Sequence, residues 1–135
     1  MRLPPHLEGA VTFAFGDTPP LADELLALVL AGKKTATCGD LREFGDAEPI
    51  PEVGRQDVVL DGAGRPAAVI ETVELRLLPF DAVDEAFALE EGEGSFAEWR
   101  AAHEAYFARN HGFDPKMTLV CERFRLVEVL PRDGA

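Results

Sequence analysis

The clearest structural signal in this chain lies in residues 19–37, PPLADELLALVLAGKKTAT. Its apolar residues recur at the spacing of one helix face, and proline is tolerated in the first turn of a helix. Asp17 or Thr18 can cap the start, and Gly32 stands where a helix that ends in a left-handed residue needs glycine. The pattern predicts a helix over about residues 20–31. The residues that this spacing predicts to face the core are Leu21, Leu25, Leu28 and Val29.

Two lysines and two threonines follow this helix: Lys33, Lys34, Thr35 and Thr37. Positive charge is scarce elsewhere, since the chain has 13 Lys and Arg residues against 25 Asp and Glu residues. The cluster is therefore a candidate site for an anion or for an activated nucleophile. The alternative is that the lysines only solvate the end of the helix, where cations are favoured by about 0.3–1 kcal/mol.

Length and charge limit the possible functions. The 135 residues predict a single domain, 1–135, with flexible ends at about 1–9 and 131–135. No apolar run reaches the roughly 20 residues that span a bilayer, and no signal peptide is recognisable, so a cytoplasmic protein without a membrane partner is expected. A net charge of −12 argues against binding to duplex DNA, because such binding neutralises several phosphates with Lys or Arg.

The chain lacks the usual motifs for cofactors and metals. It has no phosphate-binding loop and no dinucleotide glycine motif. Neither Cys38 nor Cys121 has a second Cys or a His at metal-site spacing. We therefore predict no cofactor and no metal.

The order of the remaining segments predicts an α+β fold. After the helix comes an extended stretch at 33–38, and then a polar loop at 39–54 that is long enough to act as a lid. The last strand alternates apolar and charged residues, which favours an exposed face or cross-strand pairs for its charged residues Glu122, Arg123, Arg125 and Glu128. The other predicted elements are a strand at 10–15, a hairpin at 58–78, a helix at 81–91, a second helix from the capping box Ser95–Glu98, and a strand at 117–129. Helices that interrupt an antiparallel pattern favour a small, partly open β-barrel with peripheral helices.

Three residues form a candidate catalytic set: Lys34, Thr37 and Glu71. A threonine hydroxyl becomes a nucleophile when a base removes its proton, and a lysine amine can be that base. Glu71 interrupts the apolar row of Val69 and Val73, so it would lie inside the barrel or at its mouth, where it could orient the lysine. Lys34 and Thr37 would face opposite sides of a flat strand. The set therefore requires a bulge or turn in this segment.

Aromatic residues recur at helical spacing in the predicted helix that begins at Ser95. They are Trp99, Tyr106 and Phe107. They could stack on a nucleobase, worth about 1–3 kcal/mol per base. An aromatic stripe at helical spacing is more often the pattern of core packing. His103 lies on the same face and is expected to be partly buried and hydrogen-bonded.

Four blocks of sequence carry a resemblance to a known family. They are FGDTPPLADELLALVLAGKKTATC (15–38), VIETVEL (69–75), FAEWRAAHEAYF (96–107) and VCERFRLVE (120–128). Together they resemble the ASCH domain over roughly residues 13–129. The resemblance implies a PUA-like β-barrel and an association with RNA. One bacterial branch looks like an amidohydrolase that removes the acetyl group from acetylated cytidine, and another member is reported as a ribonuclease.

The amidohydrolase branch is similar to this chain in one short motif, G-x-K-T-x-T, followed later by a strand glutamate. Gly32, Lys34, Thr35 and Thr37 fall on the motif, and Glu71 falls on the glutamate. The resemblance implies that Thr37 is the nucleophile, Lys34 its base and Glu71 the third member.

The chain departs from the broader family motif G-x-K-x-x-E-x-R. Thr37 replaces the glutamate, and Gly39 stands where the arginine is expected. An RNA contact would then depend on Arg42 or Lys33. The ligand-binding residues predicted on all these grounds are Lys33, Thr35, Arg42, Trp99 and Tyr106.

Three hypotheses follow, and the sequence leaves them open. The first is a hydrolase that acts on an acylated nucleoside through Thr37, Lys34 and Glu71. The second is a non-catalytic RNA-binding module, and the third is a single-strand ribonuclease. The expected partners are a small nucleoside or short single-stranded RNA, and the sequence does not set an oligomeric state.

Overall fold

The computed structural model describes residues 3–132 and has an α+β fold. The strands are β1 (Thr12–Phe13), β2 (Ala36–Asp40), β3 (Gln56–Leu60), β4 (Pro66–Pro79) and β5 (Thr118–Val129). The helices are α1 (Pro19–Leu30), α2 (Glu85–Glu90) and α3 (Phe96–Asn110). The predicted fold class is confirmed, and so is the predicted order of strands and helices.

The strands form one open sheet in the order β1-β3-β4-β5-β2. All neighbours are antiparallel except β1 and β3, which pair in parallel. Register shifts interrupt the pairing of β4 with β5 between Val69 and Ile70 and between Thr72 and Glu74. Such irregularities bend a strand and increase its twist. The short strands β1 and β2 are the two edges, and the sheet remains open between them.

Local signals define both ends of α1. The Thr18 hydroxyl accepts a hydrogen bond from the backbone N–H of Leu21. At the other end Gly32 has φ +75°, the left-handed conformation that glycine adopts without strain. The N–H of Gly32 bonds to the carbonyl of Val29, and the N–H of Lys33 to that of Leu28, which is the Schellman pattern. The predicted helix is confirmed to within a residue at each end.

Apolar clusters fill both sides of the sheet, and two of them contain the residues that pack against the helices. Helix α1 packs on one side, and α2 and α3 pack on the other. The α1 cluster includes Phe15, Leu25, Leu26, Val29, Val59, Ile70 and Phe124. The α2–α3 cluster includes Phe80, Phe87, Trp99, Phe107, Leu119 and Cys121. The predicted capping box of α3 is present, with Ser95 and Glu98 bonding each other's backbone N–H groups.

The segment predicted as a loop at 39–54 is shorter than expected, because Gly39 and Asp40 continue β2. A 3-10 turn at Leu41–Glu43 follows. Of the ends predicted to be flexible, residues 1–2 and 133–135 lie outside the described residues, whereas Leu7 is buried. Within residues 3–132, no helix combines the length and the apolar character that crossing a bilayer requires.

Candidate active site

A cavity of about 380 Å³ lies where β1 and β2 leave the sheet open. Residues of both edge strands line it, and α3 and the segment 43–51 cover it. Its apolar lining includes Phe13, Phe15, Leu25, Phe44, Tyr106 and Phe107. Its charged lining includes Lys34, Glu43, Glu48, Arg55, Asp57, Glu91, Glu93, Arg109 and Glu122. An apolar cavity with a few converging polar groups is the usual form of a small-molecule site.

Lys34 lies in this cavity and is 2% exposed. Its Nζ donates to Glu91 Oε1 at 3.2 Å and to Glu93 Oε2 at 3.5 Å. The ring centroid of Phe15 lies 5.4 Å from the same Nζ. The view that both lysines only solvate the helix end is therefore wrong for Lys34, and it fits only the exposed Lys33.

The backbone around Lys34 explains how it reaches the cavity together with Thr37. The Lys34 N–H still bonds to the carbonyl of Leu28, so the chain turns at the helix end before β2 begins. The Thr35 N–H then bonds to the carbonyl of Glu90. The required turn is present, and the Lys34 and Thr37 side chains line the same cavity.

A tight turn brings the two glutamates to Lys34. Gly92, between them, has φ +78°, and a Cβ built there would lie 2.5 Å from the carbonyl oxygen of Lys33. Glycine is thus required both by conformation and by the close backbone approach. Glu91 and Glu93 consequently flank the Lys34 ammonium.

Glu91 is 1% exposed and accepts several donors. Trp99 Nε1 donates to its Oε2 at 2.7 Å, and His103 Nε2 lies 3.6 Å from its Oε1. Burial by itself raises the pKa of Glu91, but Lys34, His103 and Trp99 outweigh burial and lower it to about 2. Burial and the Glu91 charge raise the pKa of Glu93 in spite of Lys34. Burial would lower the pKa of His103, but the two carboxylates outweigh it and raise that pKa.

Glu122 is another buried carboxyl group of the cavity, at 4% exposure. Of the two expected positions, the exposed face is wrong for Glu122, and its carboxyl group instead contacts a residue of the neighbouring strand β4. The Thr72 hydroxyl donates to Glu122 Oε2 at 2.5 Å. Burial raises the pKa of Glu122 to about 7, and the hydrogen bond from Thr72 offsets part of that rise.

Glu71 does not line the cavity. Its carboxylate accepts from Gln56 Nε2 at 3.2 Å and from Arg125 Nη2 at 3.2 Å. These are its partners across the sheet in β3 and β5. Because the neighbouring Thr72 points inward to Glu122, Glu71 points to the other face of β4. Lys34 and Thr37 line the cavity, whereas Glu71 lies outside it, and the carboxylates that contact Lys34 are those of Glu91 and Glu93.

Three of the predicted ligand-binding residues lie outside the cavity. Lys33 and Thr35 are exposed and do not line it. Arg42 forms an ion pair with Asp40 and donates to the carbonyls of His111 at 2.9 Å and of Gly112. Its guanidinium therefore holds the end of α3 and is not directed at a ligand.

The two predicted aromatic contacts have different positions. Trp99 is 1% exposed and stacks on Phe80 at 5.5 Å and on His103 at 4.4 Å, so it is a core residue and cannot stack on a base. Tyr106 is half-buried and lines the cavity, with the Arg109 guanidinium 5.1 Å from its ring. Burial raises the pKa of Tyr106 to about 12, so its hydroxyl remains a donor at neutral pH.

Among residues 3–132, Cys38, Glu91 and His103 form a cluster with the ligand types of a metal site. Their ligand atoms lie within 4.8 Å of one another. However, the Glu91 oxygens already accept from Lys34 and Trp99, and His103 Nδ1 lies 2.8 Å from the Trp99 carbonyl oxygen. Burial and the Glu91 charge raise the pKa of Cys38, which disfavours the thiolate that metals bind. We interpret the cluster as a hydrogen-bonded network.

We expect zinc and chelators to leave the stability of the protein unchanged, because a divalent ion would have to displace the Lys34 ammonium from Glu91. Thermal unfolding with EDTA, and then with one equivalent of Zn²⁺, checks this prediction. A rise of several degrees in Tm with zinc that is absent in a Cys38→Ser variant would contradict it.

The family assignment rests on comparison with known proteins. A family model described as the ASCH domain matches residues 11–128, which is most of the chain. This chain belongs to the ASCH domain family. The ASCH domain of Lactobacillus crispatus has a TM-score of 0.78 to it at 31% identity, over 86% of this chain and 78% of the other. A protein of Enterococcus faecalis V583 has a TM-score of 0.80 at 33% identity, over 88% of this chain and 77% of the other.

A more distant ASCH protein shares the fold alone. The structure from Zymomonas mobilis has a TM-score of 0.55 at 13% identity, over 92% of this chain and 73% of the other. No curated protein sequence matches the chain. The PUA-like fold of this ASCH domain is therefore shown, and its activity has to be argued from the cavity.

Proposed function

We propose that this ASCH domain is a hydrolase that removes the acyl group from a small acylated nucleoside, such as an acetylcytidine-like amide. The observation that carries the proposal is that Thr37 and Lys34 line one cavity. The volume of about 380 Å³ lies within the roughly 300–1,000 Å³ typical of small-molecule sites. A cavity of this size suits one nucleoside better than a polymer.

The charges around the cavity favour a neutral substrate. Each lysine or arginine that lines it is ion-paired with a carboxylate of the protein. The pairs are Lys34 with Glu91, Arg55 with Asp57, and Arg109 with Asp17. Phosphate recognition requires cations that are available to the ligand. Together with the net charge of −12, this disfavours RNA relative to a nucleoside.

The chemistry divides between two residues and a supporting carboxylate. Thr37 Oγ1 attacks the acyl carbon, and the Lys34 ammonium stabilises the negative charge that develops on the acyl oxygen. Glu91 holds the ammonium in place. Water then releases the acyl group from Thr37. In this proposal Lys34 is an electrostatic stabiliser and not the base, and Glu91 replaces Glu71 as its partner.

The first test is the release of cytidine from N4-acetylcytidine. We expect turnover by the native protein and a loss of at least about 10³-fold in kcat/KM for Thr37→Ala, because the nucleophile is removed. The matched control is Thr118→Ala, an exposed threonine at the start of β5, which should retain native turnover.

Short single-stranded RNA is assayed in parallel, with fragments and binding followed separately. Cleavage of RNA, or salt-sensitive binding of RNA without release of cytidine, would replace the amidohydrolase proposal by one of the two RNA hypotheses. Equal turnover by the native protein and Thr37→Ala would contradict the role of Thr37.

A further inference from the structure

The pairing of β2 with β5 places a carboxyl group beside the proposed nucleophile. In that antiparallel register Thr37 lies directly opposite Glu122. Directly opposed residues point to the same face of a sheet, with Cβ atoms about 4.5–5.5 Å apart. Both side chains line the cavity. The hydroxyl and the carboxyl group are therefore neighbours inside the site.

We infer that Glu122 is the catalytic base that accepts the proton of the Thr37 hydroxyl. This inference rests on the proposed function, since it concerns the same acyl transfer. Glu122 Oε2 accepts from Thr72, and Oε1 has no hydrogen-bond partner among the described residues. That oxygen is available to the Thr37 hydroxyl.

The titratable groups next to Lys34 are already occupied. Both oxygens of Glu91 accept hydrogen bonds, one from Lys34 and one from Trp99. His103 Nδ1 lies against the Trp99 carbonyl, and its Nε2 faces Glu91 and Glu93. Glu93 is ion-paired with Lys34. Glu122 is the carboxyl group that combines a position opposite Thr37 with an oxygen left over.

The surroundings of Glu122 suit a base at neutral pH. Burial raises the pKa of Glu122 to about 7, and the charge of Asp57 on β3 also raises it. Arg55 on β3, the Lys34 ammonium and the hydrogen bond from Thr72 on β4 act in the opposite direction. A base whose pKa lies near the working pH takes up and returns protons most effectively.

The resulting cycle balances. The proton of Thr37 moves to Glu122 as the Oγ1–carbon bond forms, and it then passes to the departing nitrogen as the carbon–nitrogen bond breaks. Glu122 next takes a proton from water, whose oxygen attacks the acyl carbon. The carbon–Oγ1 bond breaks and Thr37 recovers the proton. The sum is amide plus water giving amine plus carboxylic acid.

The test uses p-nitrophenyl acetate as an activated acyl donor. Acetylation of the peptide that contains Thr37 is followed by mass spectrometry between pH 5 and 9. For the native protein we expect the rate to rise with a midpoint near pH 7. Glu122→Gln should lower the rate by at least about 10²-fold and abolish that midpoint. Glu128→Gln, a carboxylate of the same strand that pairs with His6, should behave as the native protein.

A second variant keeps the experiment decisive if Glu122→Gln fails to fold. Thr72→Val removes the hydrogen bond that lowers the pKa of Glu122. The midpoint should then move to higher pH, an effect that a purely structural role for Glu122 would not produce. An unchanged midpoint in Thr72→Val, or a native rate in Glu122→Gln, would overturn the inference.

The outcomes also separate this inference from the proposed function. If Thr37 is acetylated in a manner that depends on Glu122, but no cytidine is released from acetylcytidine, Glu122 would be supported as the base. The acylated nucleoside would then be rejected as the substrate. If Glu122→Gln releases cytidine at the native rate, Glu122 would be rejected as the base, and the proposed hydrolase function would be supported. Absence of any adduct on Thr37 in the native protein would overturn the assignment of Glu122.

Discussion

Replacing Glu91 by alanine is expected to lower the free energy of unfolding by about 3–5 kcal/mol. The change removes a buried carboxylate that accepts hydrogen bonds from Lys34 and Trp99. The ammonium would retain only Glu93, and the indole N–H of Trp99 would lose its acceptor. A buried donor or charge without its partner is much more costly than the pair is favourable.

Urea unfolding at pH 7 measures this loss. The matched control is Glu90→Ala, one residue away, whose half-exposed carboxylate pairs with Arg123 and should contribute about 1 kcal/mol or less. Comparable losses in the two variants would contradict the argument, because burial is the difference between them.

The effect of Glu91 should also depend on pH. Its pKa is lowered from 4.5 to about 2 in the folded protein, so the folded state binds the proton less readily than the unfolded state. The stabilisation is then fully present above about pH 4.5 and is lost as the pH falls towards 2. The difference in stability between the native protein and Glu91→Ala should shrink over that window. A difference that stays constant from pH 6 to pH 3 would contradict the assignment.

Replacing Lys34 by methionine is expected to lower kcat for the proposed amide hydrolysis by about 10²–10³-fold, the usual effect of removing one group that stabilises an oxyanion. It also leaves the carboxylates of Glu91 and Glu93 close together without the ammonium that they share, which destabilises the fold. Turnover of N4-acetylcytidine and urea unfolding are measured on the same samples. The control Lys116→Met removes an exposed lysine that pairs with Asp81 and should change neither quantity appreciably.

A double variant separates catalysis from stability. Adding Glu93→Gln to Lys34→Met removes one of the two opposed negative charges, so part of the lost stability should return. Turnover should not return, because the ammonium is still missing. Recovery of turnover in the double variant would show that Lys34→Met acted only through misfolding and would remove Lys34 from the mechanism.

Local features of this fold were predictable because short stretches of chain specify them. The ends of α1 follow from a hydroxyl at Thr18 and a left-handed glycine at Gly32, both of which act on adjacent backbone. The capping box at Ser95 is equally local. The segment after α1 could also be selected as a candidate site, because cationic residues in so acidic a chain are unusual.

The partners within the site were not predictable in the same way. Glu71 was selected because it interrupts an apolar row, but alternation along a strand shows only that two faces exist. A register or a bulge elsewhere decides which face is inside. Glu91 was predicted only as the last residue of the helix at 81–91. A buried lysine requires a carboxylate nearby, and two glutamates around a glycine were the available signal.

By itself, the amino-acid sequence determined the helices, their caps and the order of elements, and it selected Lys34 and Thr37 as candidates, since these features depend on residues within a few positions of each other. Tertiary structure alone decided that Glu91, which is 57 residues from Lys34 in the chain, accepts a hydrogen bond from the Lys34 ammonium. It also decided that Glu122 faces inward opposite Thr37 while Glu71 faces away. The physical reason is that the strand register and the closure of the cavity arise from contacts between distant segments, which no short window of sequence contains.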